Sequence, residues 1–249
     1  MRRLTRACRT AVARLGAGTR AAKPHFVVDY QRTVAALLRS HPVDEAMSLA
    51  VGGGYEHVGR VETAILRHYG LADGMALLDF GCGSGRLAHA VSQQLSLDYV
   101  GIDVVPDLLA YARTRTPAHY RYIVNHELTL PLPDASRDMV AAFSVLTHLN
   151  HVESYLYLEE MRRVLRPGGT AVVSFIEFGN EAHWRIFEET VTARRHKVDV
   201  PLNQLIEPPV MVLWAERLGL TVEAILGGGE APWGEAGPLG QSLAVLRKP

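Results

Sequence analysis

The chain has 249 residues, enough for one α/β domain with a sizeable core or two small ones. Apolar residues make up 48% and charged residues 21%, a globular composition that excludes a disordered or fibrous chain. The 26 basic groups cancel the 26 acidic ones, but seven of the basic groups and none of the acidic ones lie in residues 1–23, leaving 19 against 26 beyond. An acidic body of formal charge −7 matches a phosphate backbone poorly, so nucleic acid is not an expected partner. Two cysteines, Cys8 and Cys82, make no disulfide framework and fit a reducing, cytoplasmic compartment. No apolar run reaches the ~18–20 residues of a bilayer span.

Residues 1–25 read as a basic N-terminal arm. Leu4, Cys8, Ala11, Val12 and Leu15 recur at helical spacing opposite the arginines, which leaves a peripheral membrane contact open, but the apolar stripe is thin and a solvated arm is the expectation. The stretch has no apolar core of a secretory signal. Residues 26–40 read as a helix stopped before Pro42, and 50–59 as a glycine-rich loop entering a helix over 56–69, with Val58, Val61, Ile65 and Leu66 on one face. Gly52, Gly53, Gly54 and Tyr55 could cover a site or simply join two helices.

From residue 71 the pattern changes to alternating strands and helices. Strands are expected at 75–80, 97–103, 120–124, 138–146, 170–178, 221–226 and 242–248. Helices are expected at 85–95, 106–113, 154–165 and near 209–218, with a helical insertion after 178. Apolar strands alternating with helices predict a doubly wound, mostly parallel seven-stranded sheet covered on both faces. The last two strands lack a helix between them and should pair antiparallel. The domain reading is therefore one α/β unit over 26–249, with a helical cap at 26–70 and a sheet core at 71–249.

Chemistry concentrates in LLDFGCGSGRLA, residues 77–88: a strand, a glycine-rich turn and a helix start. Gly81, Gly83 and Gly85 allow a tight turn and let a ligand lie against the backbone, while the helix start offers N–H groups to an anion. The spacing is G-x-G-x-G followed by Arg86, so the third small residue of a dinucleotide fingerprint is misplaced and no Walker lysine is present. Asp103 stands eighteen residues after Gly85 at the end of the second strand, where a carboxylate reads the two hydroxyls of a ribose; the alternative is a cap for the helix at Pro106.

These residues resemble the class I S-adenosylmethionine-dependent methyltransferases, over roughly residues 50–248. LLDFGCGSG with Asp79 is similar to the family's first motif, GID to its ribose-binding acid, LPLPDASRDMVAAFSVLTHL (130–149, with Asp138) to its fourth-strand region, and EEMRRVLRPGGTAVVSF (159–175) to its fifth. The resemblance implies a Rossmann-like fold, S-adenosyl-L-methionine as methyl donor with S-adenosyl-L-homocysteine as product, and no metal. It implies that Gly81, Cys82, Gly83, Gly85 and Arg86 form the turn under the methionine moiety, with Asp79 near its amino group. Asp103 would bind the ribose and Val104 the adenine face. Asn125, His126 and Glu127 are all candidates for the adenine amino group, since His126 stands where the family usually has aspartate. Ser144 and Val145 would end the fourth strand beside the sulfonium.

His148, in SVLTHLNH, falls where the family's substrate pocket opens and could take a proton from a hydroxyl; it could equally fix its loop. His148 and His151 lack further ligating neighbours and are read as non-metal. Trp184 and Trp233 could wall an acceptor site or pack in the core. The resemblance implies O-methylation of a small molecule, a sugar or secondary metabolite, with a macromolecular acceptor or a silent cofactor-binding scaffold as alternatives. FSVL stands where enzymes acting on planar nitrogens carry an N-P-P-Y tetrad.

Overall fold

The computed structural model describes residues 23–249. The basic arm, apart from its last residues, lies outside this range. Three helices lead in: α1 (His25–Ser40), α2 (Val43–Leu49) and α3 (Tyr55–His68). The alternating part follows as β1 (Ala76–Phe80), α4 (Arg86–Ser92), β2 (Asp98–Asp103), α5 (Pro106–Arg115), β3 (Arg121–Val124) and β4 (Arg137–Ala142). It continues with α6 (His151–Val164), β5 (Leu165–Phe175), α7 (Glu181–Arg195), α8 (Pro208–Arg217), β6 (Thr221–Leu226) and β7 (Ser242–Arg247).

The seven strands form one sheet of order β3-β2-β1-β4-β5-β7-β6. β1 pairs in parallel with β2 and β4, and β7 runs antiparallel between β5 and β6. Every residue of β1 is buried, as expected of a central parallel strand with helices on both faces. The chain winds from β1 outward through β2 to β3, then crosses back to β4 on the other side of β1. Such a reversal leaves a crevice beyond the carboxyl ends of β1 and β4.

Three local features depart from the sequence pattern. β4 ends at Ala142 rather than continuing through Leu146. The Ser144 backbone N–H donates to the Ser174 hydroxyl at 2.7 Å and Ser144 takes φ +59°, so the chain turns sharply into a 3-10 turn at Leu146–His148. α6 starts three residues earlier than expected because Asn150 and Glu153 form a reciprocal capping box. β5 begins directly at Leu165, through the Pro-Gly-Gly stretch, with a register shift against β4. At the opposite edge from the crevice, the Asp138 carboxylate accepts from Ala76 N–H at 2.8 Å and pairs with Arg166, holding the starts of β1, β4 and β5 together.

Packing near the crevice is close at Gly101 in β2, whose backbone angle a side chain could otherwise adopt. A Cβ there would lie 2.8 Å from Cys82 Sγ and 2.9 Å from two Tyr122 ring carbons. Gly101→Ala should therefore cost about 1–3 kcal/mol by overpacking, read as a lower urea midpoint at unchanged slope.

Candidate active site

A cavity of about 430 Å³ opens at the crevice between β1 and β4. Its floor is the turn after β1, where Gly81, Gly83 and Gly85 have φ of +74°, +55° and +81°. These angles are strained for any side chain, and each position is also crowded. A Cβ on Gly81 would lie 2.4 Å from Val145 Cγ2, and one on Gly83 would lie 2.5 Å from Val51 Cγ1.

Asp103 ties this turn to the second strand. Its Oδ2 accepts from Gly83 N–H and its Oδ1 from Val105 N–H, each at 2.9 Å. The second contact fixes the entry to α5, so Asp103 does organise the helix start as well as facing the cavity. A carboxylate has about four acceptor sites, so these contacts leave Asp103 capacity for a further donor. Asp79, at the end of β1, accepts from the Tyr99 hydroxyl at 2.6 Å. Burial pushes its carboxyl up to about 7, with Tyr99 opposing the shift. Burial also pushes the Cys82 thiol well up, so this cysteine stays protonated and is not a nucleophile.

Of the sequence candidates, Asp79, Gly81, Cys82, Gly83, Arg86, Asp103, Val104, Asn125, Ser144, Val145 and His148 line the cavity. Gly85, His126 and Glu127 do not. Gly85 faces Ala112 of α5, where a Cβ would lie 2.7 Å from the alanine methyl, so it serves the packing of turn against helix. His126 Nε2 hydrogen-bonds the Val104 carbonyl at 3.0 Å, and Glu127 is exposed. Asn125 reaches the cavity wall, but its amide N–H groups donate to the Glu127 and Thr129 carbonyls and hold the loop after β3. Trp184 and Trp233 are also absent from the wall. Trp184 on α7 clusters with Phe187 of the same helix and with Phe178 before it, and Trp233 Nε1 donates to the Gly237 carbonyl.

Arg86 is occupied by protein partners. It pairs with Glu62 through Nη2 at 2.5 Å and Nε at 3.3 Å, and Nη1 donates to the Val51 carbonyl at 2.6 Å. Glu62 is 2% exposed, which makes this a buried pair joining α3, α4 and the 50–54 loop. Gly52, Gly53 and Gly54 all have positive φ, which lets that loop fold over the glycine turn. Tyr55, just beyond, donates its hydroxyl to the Ser84 carbonyl at 2.9 Å.

His148 stands on the 3-10 turn after β4. Its Nδ1 lies 2.8 Å from the Leu202 carbonyl, which assigns the proton to Nδ1 and leaves Nε2 as a lone-pair acceptor. Burial lowers its pKa, so the ring is neutral near pH 7. The loop-fixing contact and the capacity to accept a proton thus occur in one residue. His151 Nε2 contacts the Leu205 carbonyl at 3.2 Å, stitching the same two segments together.

Sequence reading missed Glu62, Tyr30, Val51 and Gln241. The first had a signal: Glu62 follows Val58 by four residues and precedes Leu66 by four, an acid on the apolar face of α3. The other three reach the cavity through long-range packing that no local pattern reports.

A family model described as "Methyltransferase domain" matches residues 78–173, spanning the glycine turn, β2, β4 and most of β5. This match, with the relatives and fold neighbours that follow, supports a class I S-adenosylmethionine-dependent methyltransferase family for the chain. Among curated relatives, a malonyl-[acyl-carrier protein] O-methyltransferase of Serratia marcescens is 28% identical over 59% of the chain and 64% of its own length. A ubiquinone biosynthesis O-methyltransferase of Xylella fastidiosa is 28% identical over 64% of the chain and 66% of its own length. The match thus spans just under two thirds of these methyltransferases. A Thermotoga maritima structure, titled a SAM-dependent methyltransferase and possible histamine N-methyltransferase, shares the fold at a TM-score of 0.62 and 15% identity, over 90% of this chain and all of that one. Within the described residues, no helix is long and apolar enough to cross a membrane.

The raised Asp79 carboxyl has a consequence for stability. Its folded value of about 7 lies above the unfolded value of about 3.9, so the stability it contributes is full below pH 4 and is lost as pH rises toward 7. Asp79→Asn keeps an acceptor for Tyr99 and removes the titration. The variant's melting temperature should exceed that of the wild type by a margin that widens between about pH 4 and 7; a constant margin would contradict the assignment.

Proposed function

We propose that the chain transfers the methyl group of S-adenosylmethionine to a hydroxyl oxygen of a small-molecule acceptor. The observation that carries this reading is the pairing, in one cavity, of the Asp103-anchored glycine turn with a neutral His148 whose Nε2 has no partner among the described residues. The O-methyltransferase relatives support oxygen as the nucleophile.

The residues present fit the cofactor. Three buried carboxylates (Glu62, Asp79, Asp103) face one guanidinium (Arg86), an excess of negative charge suited to a ligand bearing an ammonium and a sulfonium. The spare acceptor capacity of Asp103 suits the ribose hydroxyls, Asp79 suits the ammonium, and the turn of Gly81 and Gly83 would lie under the methionine moiety with no side chain between. Val104 and Asn125 would border the adenine, and Ser144 and Val145 the reacting methyl. Bound there, S-adenosylmethionine supplies an electrophilic methyl on a positively charged sulfur.

The protein's share is alignment, exclusion of water and proton removal. Val51 and the 52–54 loop close one side, and α1 closes another through Phe26 and Tyr30. His148 Nε2 takes the proton as the acceptor oxygen attacks, while the Leu202 carbonyl holds the Nδ1 proton of the resulting imidazolium.

Asp103→Ala removes the ribose contacts and the clamp on Gly83 together. Calorimetry with S-adenosylhomocysteine should show at least a tenfold loss of affinity, and Gly83→Val a larger one because Val51 already fills the space a side chain needs. Unchanged affinity for Asp103→Ala would refute the ribose assignment. Once an acceptor is found by methyl-donor consumption, His148→Ala should lower kcat by roughly 10²–10⁴-fold at nearly constant cofactor affinity, with a rate that falls in acid as the imidazole is protonated. A flat pH profile with an active His148→Asn enzyme would leave His148 as a loop anchor alone.

A further inference from the structure

The cavity is larger than its charged end. Away from the glycine turn its walls are apolar, built from Phe26, Leu149, Tyr157 and Pro201 around Tyr30 and His148. The polar groups on this side are mostly engaged within the protein. The Tyr157 hydroxyl donates to the Glu127 carbonyl at 2.9 Å, and the Thr33 hydroxyl to the Asp29 carbonyl at 2.9 Å. Ser144 and Ser174 both donate to Gln241 Oε1, at 3.3 and 2.6 Å.

Three lining groups have no partner among the described residues: the Tyr30 hydroxyl, His148 Nε2 and Gln241 Nε2. They come from three elements. Tyr30 is on α1, with its ring 5.0 Å from the His148 ring in an edge-on contact. Gln241 immediately precedes β7, and the two serine contacts fix its carboxamide with oxygen toward β4 and β5. Burial and the nearby Asp103 charge push the Tyr30 phenol up, so it remains an O–H group. The constellation therefore offers an O–H, an N–H pair and a lone pair, all uncharged.

Charge decides what such a site rejects. Among the described residues Arg86 is the cavity's one cationic lining residue, and Glu62 and the Val51 carbonyl occupy its guanidinium. An acceptor carrying a carboxylate or phosphate would lose its hydration to a wall that returns no positive charge and already holds buried carboxylates. A neutral ring or chain with a hydroxyl and a neighbouring oxygen would find every polar group answered.

We propose that Tyr30, His148 and Gln241 form the acceptor-reading set for an uncharged, largely apolar hydroxyl compound, and that the site discriminates against anionic acceptors. Tyr30 and Gln241 are specificity-determining residues in this scheme, with His148 the group that faces the reacting hydroxyl. The proposal rests on the methyl-transfer reading above and narrows its substrate class.

The test uses the full chain saturated with S-adenosylhomocysteine and a matched pair of probes, 4-methylcatechol and 3,4-dihydroxybenzoate, which differ by a methyl against a carboxylate. Binding is followed by ligand-observed NMR titration at pH 7.5. The neutral probe should bind at least tenfold more tightly than the carboxylate. Tyr30→Phe and Gln241→Glu, which keep ring packing and the serine contacts respectively, should each weaken the neutral probe by fivefold or more while S-adenosylhomocysteine affinity stays within twofold. Gln241→Lys, which adds a cation, should narrow or reverse the preference. If S-adenosylhomocysteine binds but the neutral probe binds no better than its carboxylate partner, or both conservative variants bind it as the wild type does, the proposal is wrong while the cofactor reading stands. Absence of S-adenosylhomocysteine binding in the wild type would instead overturn the methyl-transfer reading on which the proposal rests.

Discussion

The two hydrogen bonds of Asp103 hold the site together. One oxygen receives Gly83 N–H from the turn after β1, and the other receives Val105 N–H at the start of α5. Gly81, Gly83 and Gly85 all need left-handed backbone angles, and an unsupported run of such glycines would be an expensive loss of chain entropy. The carboxylate at the end of the neighbouring strand fixes that run relative to β2. β1 pairs in register with both β2 and β4, which brings Val145 and the 3-10 turn that carries His148 to the same end of the sheet as the glycine turn.

Burial makes this arrangement costly in charge. Asp79 and Asp103 both have carboxyls pushed above the usual range by desolvation, and Glu62 shares that direction even with Arg86 beside it. A folded protein keeps such groups when something cationic compensates them. Arg86 neutralises one and also draws the 50–54 loop over the turn. Among the described residues no second cation lines the cavity, and a ligand with positive charge would offset the remaining carboxylates. The charge of the cavity wall and the chemistry of the proposed donor are thus complementary.

Much of this was readable in the sequence because it is local or strictly ordered. The runs expected at 75–80, 97–103 and 221–226 became strands to within a residue, and the spacing from Gly85 to Asp103 placed the acid beside the turn. What was not legible depends on contacts between distant segments. FSVL continues the apolar pattern of β4, yet the Ser174 hydroxyl captures Ser144 N–H and bends the chain there. Asn125, His126 and Glu127 were all candidates in sequence, and the fold separates them: the Val104 carbonyl engages His126, Glu127 is exposed, and Asn125 reaches the cavity wall. Tyr30 and Gln241, some 210 residues apart in the chain, meet one cavity through packing of α1 and the sheet edge, for which a single sequence carries no signal.

The most direct measurement is a crystal structure of the protein with S-adenosylhomocysteine. The account predicts the ribose hydroxyls within hydrogen-bond distance of Asp103, the amino group against Asp79, and the sulfur beside Val145, facing the space between Tyr30 and His148. Ligand bound elsewhere, or bound in the cavity with its ribose away from Asp103, would contradict it.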